Sequence, residues 1–415
     1  MKTAAARRLS ILSAIFISLL ILTAHAAWAG QTPQVLYSFT GYADGGSPVN
    51  PVLVDNNGNL YGVTPTNGAG DAGVVFEVSS ASGDWTETVI HTFGIERGDG
   101  ATPWGQLIAD SAGNIYGTTA IGGDVSCPHA QCGTVFELSP NANGSWTETA
   151  LHDFHGYDGQ LPIGGVIFDR GGNLWGTTSG GGTVSGKLSG FGTVFVLLRA
   201  QGWKLKTIYS FEGEADGGIP QASLSLDSEG NIWGTTSVAG TYGYGTVFKV
   251  TPSAGGWALN TIHDFTGGSD GGSPTYGQLI FDESGNVYGT TIQGGDPACS
   301  CGVVFSLEPS NGIWREKTLH GFSGKADGRY PYGGLTFDKS GTLYGTTAGR
   351  NTDYGNIFRL VNSNGQWQFE LAYTFDSVHG AYPYAAVTFG PDGTLYGTTN
   401  GGGVLGAGTV YTLAP

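Results

Sequence analysis

The chain has little charge, and least of the positive kind: 17 Lys and Arg stand against 33 Asp and Glu in 415 residues. So acidic a protein repels phosphate backbones and anionic lipid surfaces, which excludes nucleic acid and membrane surfaces as partners and leaves cations and neutral ligands such as sugars. Long apolar runs are missing after the first thirty residues. The single early run, Ile11 to Ala24, has 14 residues, short of the roughly 20 that a spanning helix needs. Lys2, Arg7 and Arg8 precede it and Ala27-Trp28-Ala29 follows it, the basic, apolar, small-x-small order of a secretory leader over residues 1–29. Cleavage there removes three positive charges, leaving 14 basic against 33 acidic residues, a net charge of −19. The mature chain, residues 30–415, is therefore expected to be secreted, extracellular or periplasmic, with no membrane insertion. Cysteines are few, and they come in two close pairs, Cys127 with Cys132 and Cys299 with Cys301. A close pair in an exported chain predicts a local disulfide, and neither loop offers four metal ligands of its own.

Glycine is abundant instead, 74 residues without a three-residue period, which excludes collagen. Since each glycine costs about 1 kcal/mol inside a helix, this many argue for turns between short strands. Tyr/Trp-Gly-x-Thr recurs at Tyr61, Tyr116, Trp175, Trp233, Tyr288, Tyr344 and Tyr396, at intervals of 55, 59, 58, 55, 56 and 52 residues. Periods near this length with several short strands each predict propeller blades. Each repeat reads as four strands. Strand a is an apolar run ending in Asp; a tight Asp-x-x-Gly turn follows. Strand b carries the Tyr-Gly-x-Thr, strand c the Gly-Thr-Val-Phe type that begins at Gly73, Gly133, Gly192, Gly245, Gly302, Gly355 and Gly408, and strand d runs from a Trp to a Phe eight residues later.

Six of these Trp positions serve seven copies of the other strands. The missing strand d lies at the front, where Leu36-Tyr37-Ser38-Phe39 matches Ile208-Tyr209-Ser210-Phe211, and the chain stops after the last strand c. The expected fold is thus all-β, a single seven-bladed β-propeller of four antiparallel strands per blade, with the N-terminal strand joining the last blade and removing the open edges. The pattern Phe-x-Gly-x-x-Asp-Gly-x-x-Pro, Asp-x-x-Gly-Asn-Leu-Tyr-Gly-Thr-Thr and Gly-Thr-Val-Phe-x-Leu resembles the GloVer tandem-repeat family of bacterial extracellular proteins, often called choice-of-anchor proteins. The resemblance covers residues 31–415 and implies a propeller and export. It brings no established activity.

Propeller topology puts the d-to-a and b-to-c connections on one face, and the long variable loops there mark it as the binding face. Repeated residues are expected to build blades, and function to sit where a blade departs from the pattern. Asp44, Asp99, Asp158, Asp216, Asp270 and Asp327 recur in the d-to-a loops, with His379 at the seventh place. They read as turn formers, or as an acidic collar that would attract Ca²⁺; no cofactor is otherwise expected. Trp104 is the one mature Trp outside the repeat, and Tyr276, Tyr332 and Tyr384 occupy or adjoin its place in other blades. These aromatics would either stack on sugar rings or plug the channel. Arg329, Tyr330 and Tyr382 complete the candidate ligand site with His379. His91, His152, His263 and His320 share a strand-d place with Tyr37, Tyr209 and Tyr373, which suits a packed ring with a polar tip, while His129, His155 and His379 are off-pattern. No catalytic motif occurs; the nearest cluster is Asp327, Arg329, Tyr330, Tyr332 and His379. The favoured expectation is a monomeric recognition scaffold whose partner is a carbohydrate or an extracellular protein. The alternatives are a polysaccharide lyase or hydrolase on the same face and a structural or adhesive surface protein.

Overall fold

The computed structural model describes residues 31–80, 83–95, 98–123, 127, 132–188 and 190–414. The expected leader, residues 1–29, and His129 lie outside the described residues. Seven small antiparallel sheets form the seven blades. In blade 1 the strands are Leu53–Val54, Leu60–Thr64, Val74–Ser79 and Thr86–Thr92, hydrogen-bonded in chain order from a to d. The same order repeats from blade to blade. Blade 7 takes strand d from the other end of the chain: Gln34–Ser38 pairs antiparallel with Thr409–Leu413, Gln34 opposite Thr412 and Ser38 opposite Thr409. Among the described residues the helical content is one 3₁₀ turn, Arg199–Gln201.

The Tyr-Gly-Thr-Thr motif can be explained residue by residue. In four blades its first residue donates to the Asp of the a-to-b turn, whether as a phenol (Tyr116 to Asp110, 3.1 Å; Tyr288 to Asp282, 2.9 Å) or as an indole (Trp175 to Asp169, 2.9 Å; Trp233 to Asp227, 2.8 Å). That common partner is why Tyr and Trp exchange there. The glycine makes room for the strand-c ring, since a Cβ on Gly289 would lie 2.6 Å from Phe305 Cζ. At four places the first Thr staples neighbouring blades, as where Thr118 Oγ1 donates to the Gly164 carbonyl, Thr346 to Ala385 and Thr398 to Asn50. The second Thr bridges strands b and c, as between Thr178 and Thr193 at 2.8 Å.

Strand a is shorter than its apolar run predicts: regular pairing covers two residues in six blades and three, Leu335–Phe337, in blade 6. Around the axis the innermost segments meet backbone to backbone, and a Cβ on Gly277 would lie 2.8 Å from Gly334 Cα. Outward, the strand-d Trp of one blade packs on the strand-b ring of the preceding one, Trp257 on Trp175 at 4.7 Å and Trp314 on Trp233 at 5.0 Å. The strand-d Phe residues are fully or almost fully buried, from Phe39 to Phe375. Both predicted disulfides are present, Cys127–Cys132 and Cys299–Cys301, and Cys132 and Cys301 are packed in the core.

Candidate functional site

On the d-to-a and b-to-c face, each blade turns into the channel through a residue followed by proline. That residue is left-handed in all seven: Ser47, Thr102, Leu161, Ile219, Ser273, Tyr330 and Tyr382 have φ between 51° and 58°. Non-glycine residues seldom adopt this conformation. Here the backbone N–H of each bonds a carbonyl in the preceding b-to-c loop, as Tyr330 does to Cys301 at 2.9 Å and Tyr382 to Tyr354 at 2.8 Å. The turn aims the following segment at the axis, so residues just after the proline ring the channel mouth. Blade 2 is braced further. Its strand b extends to Ile115–Gly122 and pairs with an extra strand, Gly100–Pro103, directly before Trp104.

The structure brings four of the predicted aromatics into one chain of contacts. Trp104 lies 6.2 Å from Tyr276, Tyr276 5.9 Å from Tyr332, and Tyr332 5.1 Å from Tyr384. With Val49 and Asn400 they line a cup of about 340 Å³. A second cavity of about 340 Å³ lies deeper in the channel, and Tyr276 and Tyr384 line both. The rings therefore floor the cup and roof the space beneath. Among the described residues, none that lines the cup is charged. Burial, then the neighbouring phenols, raises the Tyr276 and Tyr332 hydroxyls above the ordinary phenol value, and burial followed by Tyr382 does so for Tyr384. They stay neutral and can both donate and accept hydrogen bonds.

Val49 and Asn400 were not among the predicted site residues. Val49 holds the same post-proline place as Trp104, Tyr332 and Tyr384, so comparing that place across all seven blades would have found it. Asn400 enters from strand b, beside Thr399, and its amide donates to the Ser47 carbonyl at 3.1 Å.

The other predicted residues have separate settings. Tyr330 is 6.3 Å from Tyr332, and Tyr382 reaches away to donate to the Asn351 carbonyl. Arg329 bonds the Gly324 carbonyl and lies 3.8 Å from Asp353. His379 pairs with Asp376 at 2.8 Å. The loop aspartates each accept from a backbone N–H of their own loop, at 2.7 Å for Asp44, 3.0 Å for Asp99, 2.8 Å for Asp158, Asp216 and Asp327, and 2.9 Å for Asp270. Each also faces the strand-d His or Tyr of the same hairpin: Tyr37 donates to Asp44 at 2.9 Å, and His320 lies 3.3 Å from Asp327. Asp327 is thus held by Ser323 and His320, and the ionisable members of the cluster with Arg329 and His379 have partners of their own.

Exposed apolar side chains gather on this same face. Of eleven large exposed hydrophobics among the described residues, nine lie in d-to-a or b-to-c loops, among them Tyr42, Tyr157, Tyr242, Val404 and Leu405.

A family model described as the Gloeobacter/Verrucomicrobia repeat matches residues 24–188 and 183–411. No curated protein matches the chain. Among solved structures, the extracellular domain of a hybrid two-component system from B. thetaiotaomicron is similar at 13% identity and a TM-score of 0.57; the match covers 93% of this chain and 40% of that one. This chain therefore spans well under half the length of that relative. A protein from Lactobacillus plantarum is similar at 12% identity and a TM-score of 0.53, over 82% of this chain and 88% of that one. At these identities the likeness is one of fold.

Proposed function

The chain belongs to the Gloeobacter/Verrucomicrobia repeat family, and from that premise we propose that it is an extracellular recognition scaffold that binds a neutral carbohydrate in the cup at the channel mouth. The observation that carries the reading is the contiguous set Trp104, Tyr276, Tyr332 and Tyr384 around an uncharged recess. Aromatic faces take up the apolar face of a sugar ring, while neutral phenols and the Asn400 amide suit its hydroxyls. The basic and apolar leader, the disulfides and the strong negative charge agree with a place outside the cytoplasm. The similar structure from B. thetaiotaomicron is itself an extracellular domain.

A broad glycan array tests this, with Trp104→Ala and Tyr332→Ala alongside the unchanged protein. The expected result is selective binding that weakens about tenfold in each variant, the effect of losing roughly 1.4 kcal/mol of ring contact. Binding unchanged in both variants would remove the cup from the argument. The exposed apolar loops around the mouth support a second reading, in which the same face binds an extracellular protein. Under that reading the array is blank and a saturable protein partner is found instead.

A further inference from the structure

We propose that His152, His155 and Asp158 form a binding site for a transition-metal dication of the Zn²⁺ class. The site lies on the binding face, in the hairpin that leaves strand d of blade 2, and is independent of the sugar cup.

Its argument starts from the repeat. A strand-d histidine faces a loop aspartate in three other hairpins, His91 with Asp99 at 3.5 Å, His263 with Asp270 at 3.4 Å and His320 with Asp327 at 3.3 Å. The residue after the strand-d Phe is Gly94, Thr266 or Ser323 in those hairpins. In this one it is His155, and the loop is one residue shorter than in the Asp270 and Asp327 hairpins, since Asp158 follows Phe154 by four positions. Shortening brings a second imidazole to the carboxylate. Among the described residues this is the one group of three metal-ligating side chains, with ligand atoms all within 4.8 Å of one another.

The geometry suits a metal. The backbone N–H of His155 donates to Asp158 Oδ1 at 2.8 Å, which orients the carboxylate and leaves Oδ2 toward the histidines. His152 Nε2 lies 3.0 Å and His155 Nδ1 3.6 Å from Oδ2. Ligands about 2.05 Å from a tetrahedral Zn²⁺ stand about 3.3 Å apart, between those two distances. The two imidazole nitrogens lie within 4.8 Å of each other and draw together on binding. Neighbouring rings orient them: Phe154 packs edge-on to His152 at 4.9 Å, and Tyr157 stacks on His155 at 5.6 Å.

Two imidazole nitrogens and one carboxylate oxygen favour Zn²⁺, Co²⁺ or Ni²⁺ over Ca²⁺, which takes six to eight oxygens. Three protein ligands leave a coordination position open. A cavity of about 480 Å³ adjoins, lined by His152 and Asp158 with Tyr157, Trp203 and Lys204, and gives water or an exogenous ligand a route to that position.

The test uses purified, untagged protein titrated with Co²⁺ and followed by visible absorption, with Zn²⁺ as competitor. Two substitutions borrow residues that the repeat already accepts at these places: His152→Tyr, after Tyr37 and Tyr209, and His155→Thr, after Thr40 and Thr266. The expected result is one Co²⁺ per chain, displaced by Zn²⁺ and lost in both variants, with the metal-free Tm of each unchanged. His320→Tyr, which removes an ordinary His–Asp pair, leaves Co²⁺ binding intact. Absence of binding at millimolar Co²⁺ and Zn²⁺, or undiminished binding in His152→Tyr and His155→Thr, overturns the proposal.

Discussion

Seven copies of one motif allow a residue to be judged against its own equivalents. At the strand-c aromatic place six blades carry Phe, from Phe76 to Phe358, and blade 7 carries Tyr411. Its ring is wholly buried, its hydroxyl has no hydrogen-bond partner among the described residues, and burial pushes the phenol far above its ordinary value. An unpaired buried hydroxyl costs about 1–3 kcal/mol. Tyr411→Phe is therefore expected to raise stability by roughly 1 kcal/mol, read as a higher denaturation midpoint with an unchanged m-value. A lower midpoint would mean that the hydroxyl has a partner worth keeping.

At the scale of the element, strand d carries the most information. Its pairing with strand c shifts register by one residue in all seven blades, between Ala150 and His152 in blade 2 and between Val35 and Tyr37 in blade 7. A bulge re-aims the side chain that follows it, and here it presents His or Tyr to the d-to-a loop. Burial depresses the folded-state pKa of His263 and His320 below the usual 6.5, although Asp270 and Asp327 pull the other way. For a depressed group, stability is present above the unfolded value and lost as pH falls through the folded one. On strand d of blades 1 and 5, burial holds Glu87 and Glu316 up at about 7, helped by the charges of Asp44 and Asp270. Their contribution has the opposite sign, present below the ordinary carboxylate value and lost as pH rises through about 7. These windows overlap between the ordinary carboxylate value and about pH 6.5, where the two contributions oppose one another. In the double variant His263→Tyr/His320→Tyr the carboxylate contribution stands alone, so Tm is expected to fall more steeply from about pH 5 to about pH 7 than in the unchanged protein. An unchanged pH profile of Tm would show that the two histidines carry none of it.

For the whole molecule, closure depends on one short strand. Gln34–Ser38 covers the edge of Thr409–Leu413, Thr398 donates to Asn50 and Thr388 to Val52 across the same junction, and Phe39 is fully buried between them. Deleting residues 31–39 leaves an open edge in a sheet protein, the arrangement that invites pairing with a second chain. Such a chain is expected to elute at a larger size than the intact chain in size-exclusion chromatography, and synthetic peptide 31–39 should restore the intact chain's elution. A stable monomer without the peptide would show that six complete blades and one of three strands suffice.

Fold and closure were legible in the sequence because they follow from local repetition. Seven Tyr/Trp-Gly-x-Thr motifs count the blades, and the offset between the N-terminal strand d and the last strand c is a matter of chain order alone. The aromatic cup was legible in part. Trp104, Tyr332 and Tyr384 stand out as departures from the pattern, but their proximity depends on the ring bringing blades 2, 5, 6 and 7 to one axis, as does the inclusion of Val49 and Asn400. The pairing of strand-d histidines with loop aspartates was not legible. A bulge breaks the two-residue alternation at that point, so strand periodicity gives no direction for the side chain. His155 could be seen as off-pattern, yet only the folded hairpin places it against Asp158 and His152. Sequence by itself determined what recurs, because recurrence builds blades. Tertiary structure decided what the exceptions touch, because their partners lie across a loop or a ring and not along the chain.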